Sequence, residues 1–286
     1  MFRSVMEEIT AEYAVEHLAP STPYRVRTSV TVATKSDLGR VREHNEDKVE
    51  FFLNEEPATV ASRGSVFVVC DGMGGHSAGQ IASELATKTF IDVYLNHPAH
   101  DPTVAAHAAA VAANRFVYDV GRAVEGRKGM GTTLSAVLIV QDQAICVQIG
   151  DSRIYRMREG VLEQLSEDQT WVEMALKAGM IRPEEADTHP YRHMLLRAIG
   201  AEPSVEPEVW TMPLQVGDTF FVCSDGVINH VSNDALAVIL RESTPSVAAW
   251  RAVNDALAGG GSDNATALVL RIDALEPVSP SNSEEL

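Results

Sequence analysis

Three apolar runs in this chain end in the same way: VFVVCDG, CVQIGDS and FFVCSDG each deliver an aspartate, Asp71, Asp151 and Asp225, at or just past the last apolar residue. An apolar run of this length bounded by Gly and Ser reads as a buried strand. Such a strand holds its last residue rigidly, so a carboxylate there is aimed with little entropy left to lose. Several strand ends can converge on one point, and carboxylates that converge repel one another unless a cation sits among them. Oxygen donors without His or Cys partners select hard ions, Mg²⁺ or Mn²⁺, over zinc or copper. Taken singly, an Asp before Gly or Ser is an ordinary turn former. The shared placement of all three is what points to a site.

Composition narrows the classes. The 286 residues contain 45% hydrophobic residues, enough to bury a real core. Lys and Arg number 23 against 40 Asp and Glu, a net charge of −17, which repels a nucleic-acid backbone, and no basic patch offsets it. No apolar run reaches the ~18 residues of a membrane span, and the acidic N-terminus MFRSVMEEIT is unlike a secretory signal. A cytoplasmic protein with no nucleic-acid or membrane partner is expected. Cys70, Cys146 and Cys223 are odd in number, form no CxxC pair and lie in apolar runs, which argues against disulfides and zinc.

Residues 1–27, with an amphipathic stretch from Val5 to Leu18 and then Pro20 and Pro23, read as an extension before the main domain. From Ser29 the pattern turns to strands (SVTVA, KVEFF, SVFVVC), followed by two helical stretches, about Ala78–Leu95 and Thr103–Val124, that cover a sheet face. A second block of strands is joined by the tight connections QDQ and REG, which imply antiparallel hairpins. Residues from Thr170 to about Gly200, broken by Gly179, Pro183 and Pro190, read as a surface flap. Two more helices, about Asn233–Arg241 and Ser246–Leu257, precede the last strand, NATALVLRI, and a disordered tail is expected over 273–286.

Further segments complete the constellation. Arg42 stands four residues before Glu46 and five before Asp47. Its planar fork suits a phosphate oxygen, although a surface ion pair is the plainer reading. After Asp71 come Gly72, Gly74 and Gly75, so the backbone can approach an ion closely and offer the Gly72 carbonyl. Near the end, GGGSDNATALVL places Asp263 as a fourth carboxylate at a strand boundary.

These segments together resemble the bacterial members of the protein phosphatase 2C family, the metal-dependent serine/threonine phosphatases. The resemblance runs in order through GRVREHNED, VVCDGMGGHSAGQ, GMGTTLSAV, QIGDSRIY, LSEDQTWVEMALKAGMI, HMLLRAIG, CSDGVIN and SDNAT, over about residues 28–272. It implies an α+β fold, a four-layer α-β-β-α sandwich of two antiparallel sheets flanked by helices. It implies two core Mn²⁺ or Mg²⁺ ions bridged by Asp71, with Asp225 and Asp263 on the first and the Gly72 carbonyl on the second. Glu46 and Asp47 would act through bound waters, Arg42 would hold the phosphate, and Asp151 with Asp225 would hold a third, weaker ion. The resemblance also extends the flap to about residues 165–200.

The implied reaction is hydrolysis of phosphoserine and phosphothreonine in proteins by a metal-bridging hydroxide, reversing a bacterial Ser/Thr kinase on its substrates. A monomer acting on phosphorylated proteins is expected. Two positions depart from family patterns: Asn229 stands where some members carry an acid for the third ion, and Met73 stands where eukaryotic relatives carry a proton-donating histidine. His76 is a weak substitute donor, because a histidine at a helix start is more often a cap. A catalytically silent relative that only binds phosphoproteins is the alternative. Its expected mark is loss of the metal acids, whereas Asp71, Asp225 and Asp263 are all present.

Overall fold

The computed structural model describes residues 23–74, 77–186 and 188–278. In chain order its elements are β1 (Val26–Asp37), β2 (Lys48–Phe52), α1 (Pro57–Ser62), β3 (Ser65–Cys70), β4 (Gly72–Met73), α2 (Ser77–Asn96), α3 (Pro102–Ala123), β5 (Gly131–Thr132), β6 (Leu134–Val140) and β7 (Gln143–Ile149). They continue with β8 (Arg153–Arg158), β9 (Val161–Gln164), α4 (Trp171–Lys177), α5 (Pro183–Ala186), β10 (Glu208–Pro213), β11 (Thr219–Cys223), α6 (Asp225–Ile228), α7 (Asn233–Glu242), α8 (Pro245–Ala258) and β12 (Ala265–Pro277).

Two five-stranded sheets form, in the orders β1-β12-β11-β8-β9 and β10-β7-β6-β3-β2, with antiparallel pairing throughout. The expected α+β sandwich of two antiparallel sheets flanked by helices is the fold observed. The side chains of β3 and β11 show why these strands are apolar at every position. Phe67 and Val69 of β3 meet Phe220 and Val222 of β11 in the layer between the sheets. The alternate residues of β3, Val66, Val68 and Cys70, pack under α2 and α3, and those of β11, Phe221 and Cys223, pack under α7 and α8. A strand covered on both faces cannot alternate with polar residues.

The helices follow from local chemistry. Asp101 caps α3 by accepting from the Thr103 N–H at 2.8 Å, Pro102 occupies the first turn, and Ala105, Ala106, Ala109, Ala110 and Ala113 are buried, so α2 and α3 approach closely. The two expected hairpins form: β6 and β7 turn at Gln141 and Asp142, with positive φ at Gln141, while β8 and β9 turn at Glu159 and Gly160, both with positive φ. The segment over 165–200 carries α4, capped by Thr170, and α5. Its base is tied to itself and to the body by Trp171 N–H to the Met194 carbonyl at 2.8 Å and Ile199 N–H to the Thr132 carbonyl at 2.8 Å.

Three features depart from the sequence reading. β10, unannounced by its composition, is a half-buried edge strand (EVWTMP) at the rim of its sheet. α1 is too short to show a period. The ends expected at 28 and 272 lie too far inward, because Val26 pairs with Pro277 and residues 273–277 belong to β12 instead of a tail. The amphipathic stretch Val5–Leu18, the last eight residues and His76 lie outside the described residues.

Candidate active site

Strand ends do bring the acids together. Asp71 directly follows β3, Asp151 comes two residues after β7, Asp225 opens α6 two residues after β11, and Asp263 lies two residues before β12. A cavity of ≈ 340 Å³ is walled by Arg42, Glu46, Asp71, Gly72, Asp151, Asp225 and Asp263, together with Met73, Thr133, His193, Leu195 and Asn264. Seven of the eight sequence-predicted site residues thus share one cavity. The eighth, Asp47, lies buried beneath it, where its Oδ2 accepts from the Ser224 hydroxyl at 2.7 Å.

The frame around the acids is hydrogen-bonded from both sheets. The Asp71 N–H donates to Thr133 Oγ1 at 2.8 Å, and the Asp71 carbonyl accepts from the Thr132 hydroxyl and the Thr133 N–H. Asn264 ties three segments: its Oδ1 accepts from the Glu46 N–H at 2.8 Å, and its Nδ2 donates to the carbonyls of Leu38 and His44. The Gly72 N–H donates to the Glu46 carbonyl at 3.2 Å. A Cβ on Gly72 would collide with the Gly79 and Glu46 carbonyls, so only glycine lets these backbones meet. Arg42 Nη2 donates to Asp263 Oδ2 at 2.7 Å across the rim.

Burial and mutual repulsion dominate the electrostatics. Asp47 is pushed up to about 7 first by burial, against the hydrogen bond from Ser224, with Asp225 and Asp263 adding to the rise. Asp151 is likewise pushed up to about 7 by burial and then by the charge of Asp225. Burial raises Asp71 far above the carboxylate range, and the charges of Asp47, Asp225, Asp151 and Asp263 push it the same way. Asp225 is raised by burial and by Asp263. Four carboxyls that resist ionising together call for positive charge among them.

The donor set fits hard divalent cations: every candidate ligand is an oxygen, and Asp47 Oδ1 is buried without a hydrogen-bond partner. Among the described residues no group of three or more His, Cys, Asp or Glu is arranged to hold a metal ion as it stands. The acids therefore meet as walls of one cavity and not as a closed ligand set, with Asp263 turned to Arg42. Sequence reasoning did not single out Ser224, Thr133 or His193. Ser224 and Thr133 act through hydrogen bonds that spacing does not reveal. His193 reaches the cavity from the flap, and its only signal was membership of HMLLRAIG. Met73, which has no proton to give, lines the same wall.

Residues 40–259 match the family described as Protein phosphatase 2C. The serine/threonine phosphatase stp of Listeria monocytogenes serotype 4b (strain F2365) is 35% identical over 247 residues, covering 84% of this chain and 94% of that protein. The crystal structure of the Mycobacterium tuberculosis serine/threonine phosphatase PstP/Ppp superposes with a TM-score of 0.76 at 34% identity, over 86% of this chain and 99% of that one. The catalytic domain of the serine/threonine protein phosphatase PstP, solved in complex with two manganese ions, gives a TM-score of 0.74 at 33% identity, over 87% of this chain and 100% of that one. The class defined by this fold and these relatives is the serine/threonine protein phosphatases, which are enzymes. Within it, the chain belongs to the metal-dependent protein phosphatase 2C family.

Proposed function

We propose that this enzyme hydrolyses phosphoserine and phosphothreonine in proteins phosphorylated by a Ser/Thr kinase, using two divalent cations, Mn²⁺ or Mg²⁺, held in the acidic cavity. The observation that carries the reading is the gathering of Asp71, Asp225, Asp263, Glu46 and the Gly72 backbone around one cavity with Arg42 at its rim. Asp71, at the centre of the repulsion, would be shared between the ions, Asp225 and Asp263 would help hold one, and the Gly72 carbonyl would help hold the other. Glu46 and Asp47 act through water, Asp47 from below. Asp151 and Asp225 flank the place for a third ion, where Asn229 offers a neutral donor and already spends its amide on Asp225 Oδ2 at 3.2 Å.

Bound cations supply Lewis acidity and lower the pKa of coordinated water toward neutrality. The chain's own residues bind and orient. Arg42 and Asp263 form a half-exposed pair, with side chains 51% and 29% accessible, worth at most about 1 kcal/mol. So weak a pair leaves Asp263 free to help hold a cation and Arg42 free to take a phosphate dianion. Carboxylate and phosphate match the same planar fork, so Arg42 would exchange one for the other. The buried cysteines take no part: burial raises Cys70 and Cys146 to about 12, so neither is a thiolate at neutral pH.

Asp71→Asn tests the assignment. The variant should fold, by circular dichroism, and lose Mn²⁺-dependent release of phosphate from a phosphopeptide. Undiminished Mn²⁺-dependent turnover would refute the bridging role of Asp71 and the ligand set built around it. Phosphopeptide binding by the wild type with no phosphate release in Mn²⁺ would instead favour the silent binding module.

A further inference from the structure

The loop that carries Asp263 is folded around a histidine. Gly259, Gly260 and Gly261 link α8 to Ser262 and Asp263, and the His230 imidazole, from the segment after α6, sits inside that bend. His230 Nε2 accepts from the Ser262 N–H at 3.3 Å and lies within hydrogen-bond distance of Ser262 Oγ, at 2.9 Å. The contact is tight: a Cβ built on Gly260, whose φ is +142°, would lie 3.1 Å from His230 Cε1, and one on Gly259 would lie 3.0 Å from His230 Cβ.

The loop is gripped from its other side too. The Arg40 N–H donates to the Gly261 carbonyl at 2.8 Å, and Arg40 Nε donates to the Leu257 carbonyl at 2.9 Å. His230 thus completes a clamp on a run of three glycines, the part of the chain with most backbone freedom to lose. His230 stands two residues past α6, the short helix that Asp225 opens, and Asn229, between the two, bonds the Asp225 carboxylate. The short stretch 225–230 therefore holds Asp225 at one end and, through Ser262, contacts the loop that carries Asp263 at the other.

We infer that His230 is a positioning residue. By locking the triglycine loop it fixes Asp263 at the spacing from Asp225 that a shared cation requires. The inference rests on the reading of Asp225 and Asp263 as ligands of one ion. Groups that orient ligands from behind typically set metal affinity by roughly ten- to a hundredfold.

The test is calorimetric titration of Mn²⁺ into EDTA-stripped full-length protein, with phosphatase kinetics at varied Mn²⁺ beside it. His230→Ala should weaken the tighter Mn²⁺ binding by about tenfold or more while kcat at saturating Mn²⁺ stays close to wild type. His230→Gln, whose amide oxygen can still accept from the Ser262 N–H, should recover most of the affinity. Ser262→Ala, which removes only the hydroxyl, should show a smaller loss in the same direction and serves if His230→Ala does not fold. Tyr94→Phe controls for stability, since the Tyr94 hydroxyl bonds the Arg63 carbonyl at 2.8 Å, outside the cavity wall.

Unchanged Mn²⁺ affinity in His230→Ala, no recovery in His230→Gln, or an equal affinity loss in Tyr94→Phe would each overturn the inference. A wild type that neither binds Mn²⁺ nor releases phosphate would overturn the functional proposal, a separate result.

Discussion

At the scale of single residues, the site is a balance between repelling carboxylates and cations, and its pH dependence has a definite sign. Asp47 and Asp151 stand at about 7 in the folded protein against 3.8 in an exposed aspartate. Between those values the native state binds more protons than the unfolded chain, so stability is fully present below the lower value and is lost as pH rises through about 7. The melting temperature of EDTA-treated protein should fall as pH rises from about 4 to about 7, and saturating Mn²⁺ at pH 7 should restore it. A metal-free melting temperature that rises over that interval would contradict the proposed strain among the acids. Arg42→Ala, which removes a charge-assisted bond to phosphate, should raise KM for a phosphopeptide roughly ten- to a hundredfold and leave the melting temperature nearly unchanged. At this scale Asp71, Asp151 and Asp225 were legible because each follows an apolar run. Ser224 was not, because its bond to Asp47 spans 177 positions of chain and leaves no local trace.

At the scale of elements, the fold rests on strands packed on both faces and helices packed through small residues. Phe220→Ala opens a cavity between the sheets, where its ring is fully buried, and should cost about 3–5 kcal/mol in denaturant unfolding. Ala109→Leu should also destabilise, by about 1–3 kcal/mol, because that fully buried methyl sits in the layer of α2 and α3 and a larger group has nowhere to go. Either variant unfolding at the wild-type denaturant midpoint would show that the packing described is not what holds these layers. The long helices and the apolar strands were readable from period and propensity. β10 was not, since EVWTMP owes its place to pairing with β7 at a sheet edge, Trp210 against Cys146, and no hydrophobic period marks such a strand. The late end of β12 has the same cause: residues 273–277 are a strand only because β1 runs beside them.

At the scale of the whole molecule, two sheets and the helices covering them bring the ends of β3, β7 and β11 and the start of β12 to one rim, and the flap closes beside them through His193 and Leu195. Cations binding at that rim stabilise the native state by mass action. Mn²⁺ should therefore raise the melting temperature of the wild type, and Asp71→Asn should abolish most of the increase; an undiminished increase in the variant would place the ions elsewhere. Local sequence was sufficient to determine the long helices and the buried strands, the oxygen-only chemistry of the acids and the resemblance that orders them, because each depends on neighbours in the chain. Which acids share a wall, that Asp47 lies beneath it, that Arg42 rests on Asp263 and that His230 grips the glycine loop were decided only by tertiary packing. The hydrogen bonds from His230 to Ser262 and from Arg42 to Asp263 span 32 and 221 positions, and attraction or repulsion between such residues exists only once the sheets have brought them within a few ångströms.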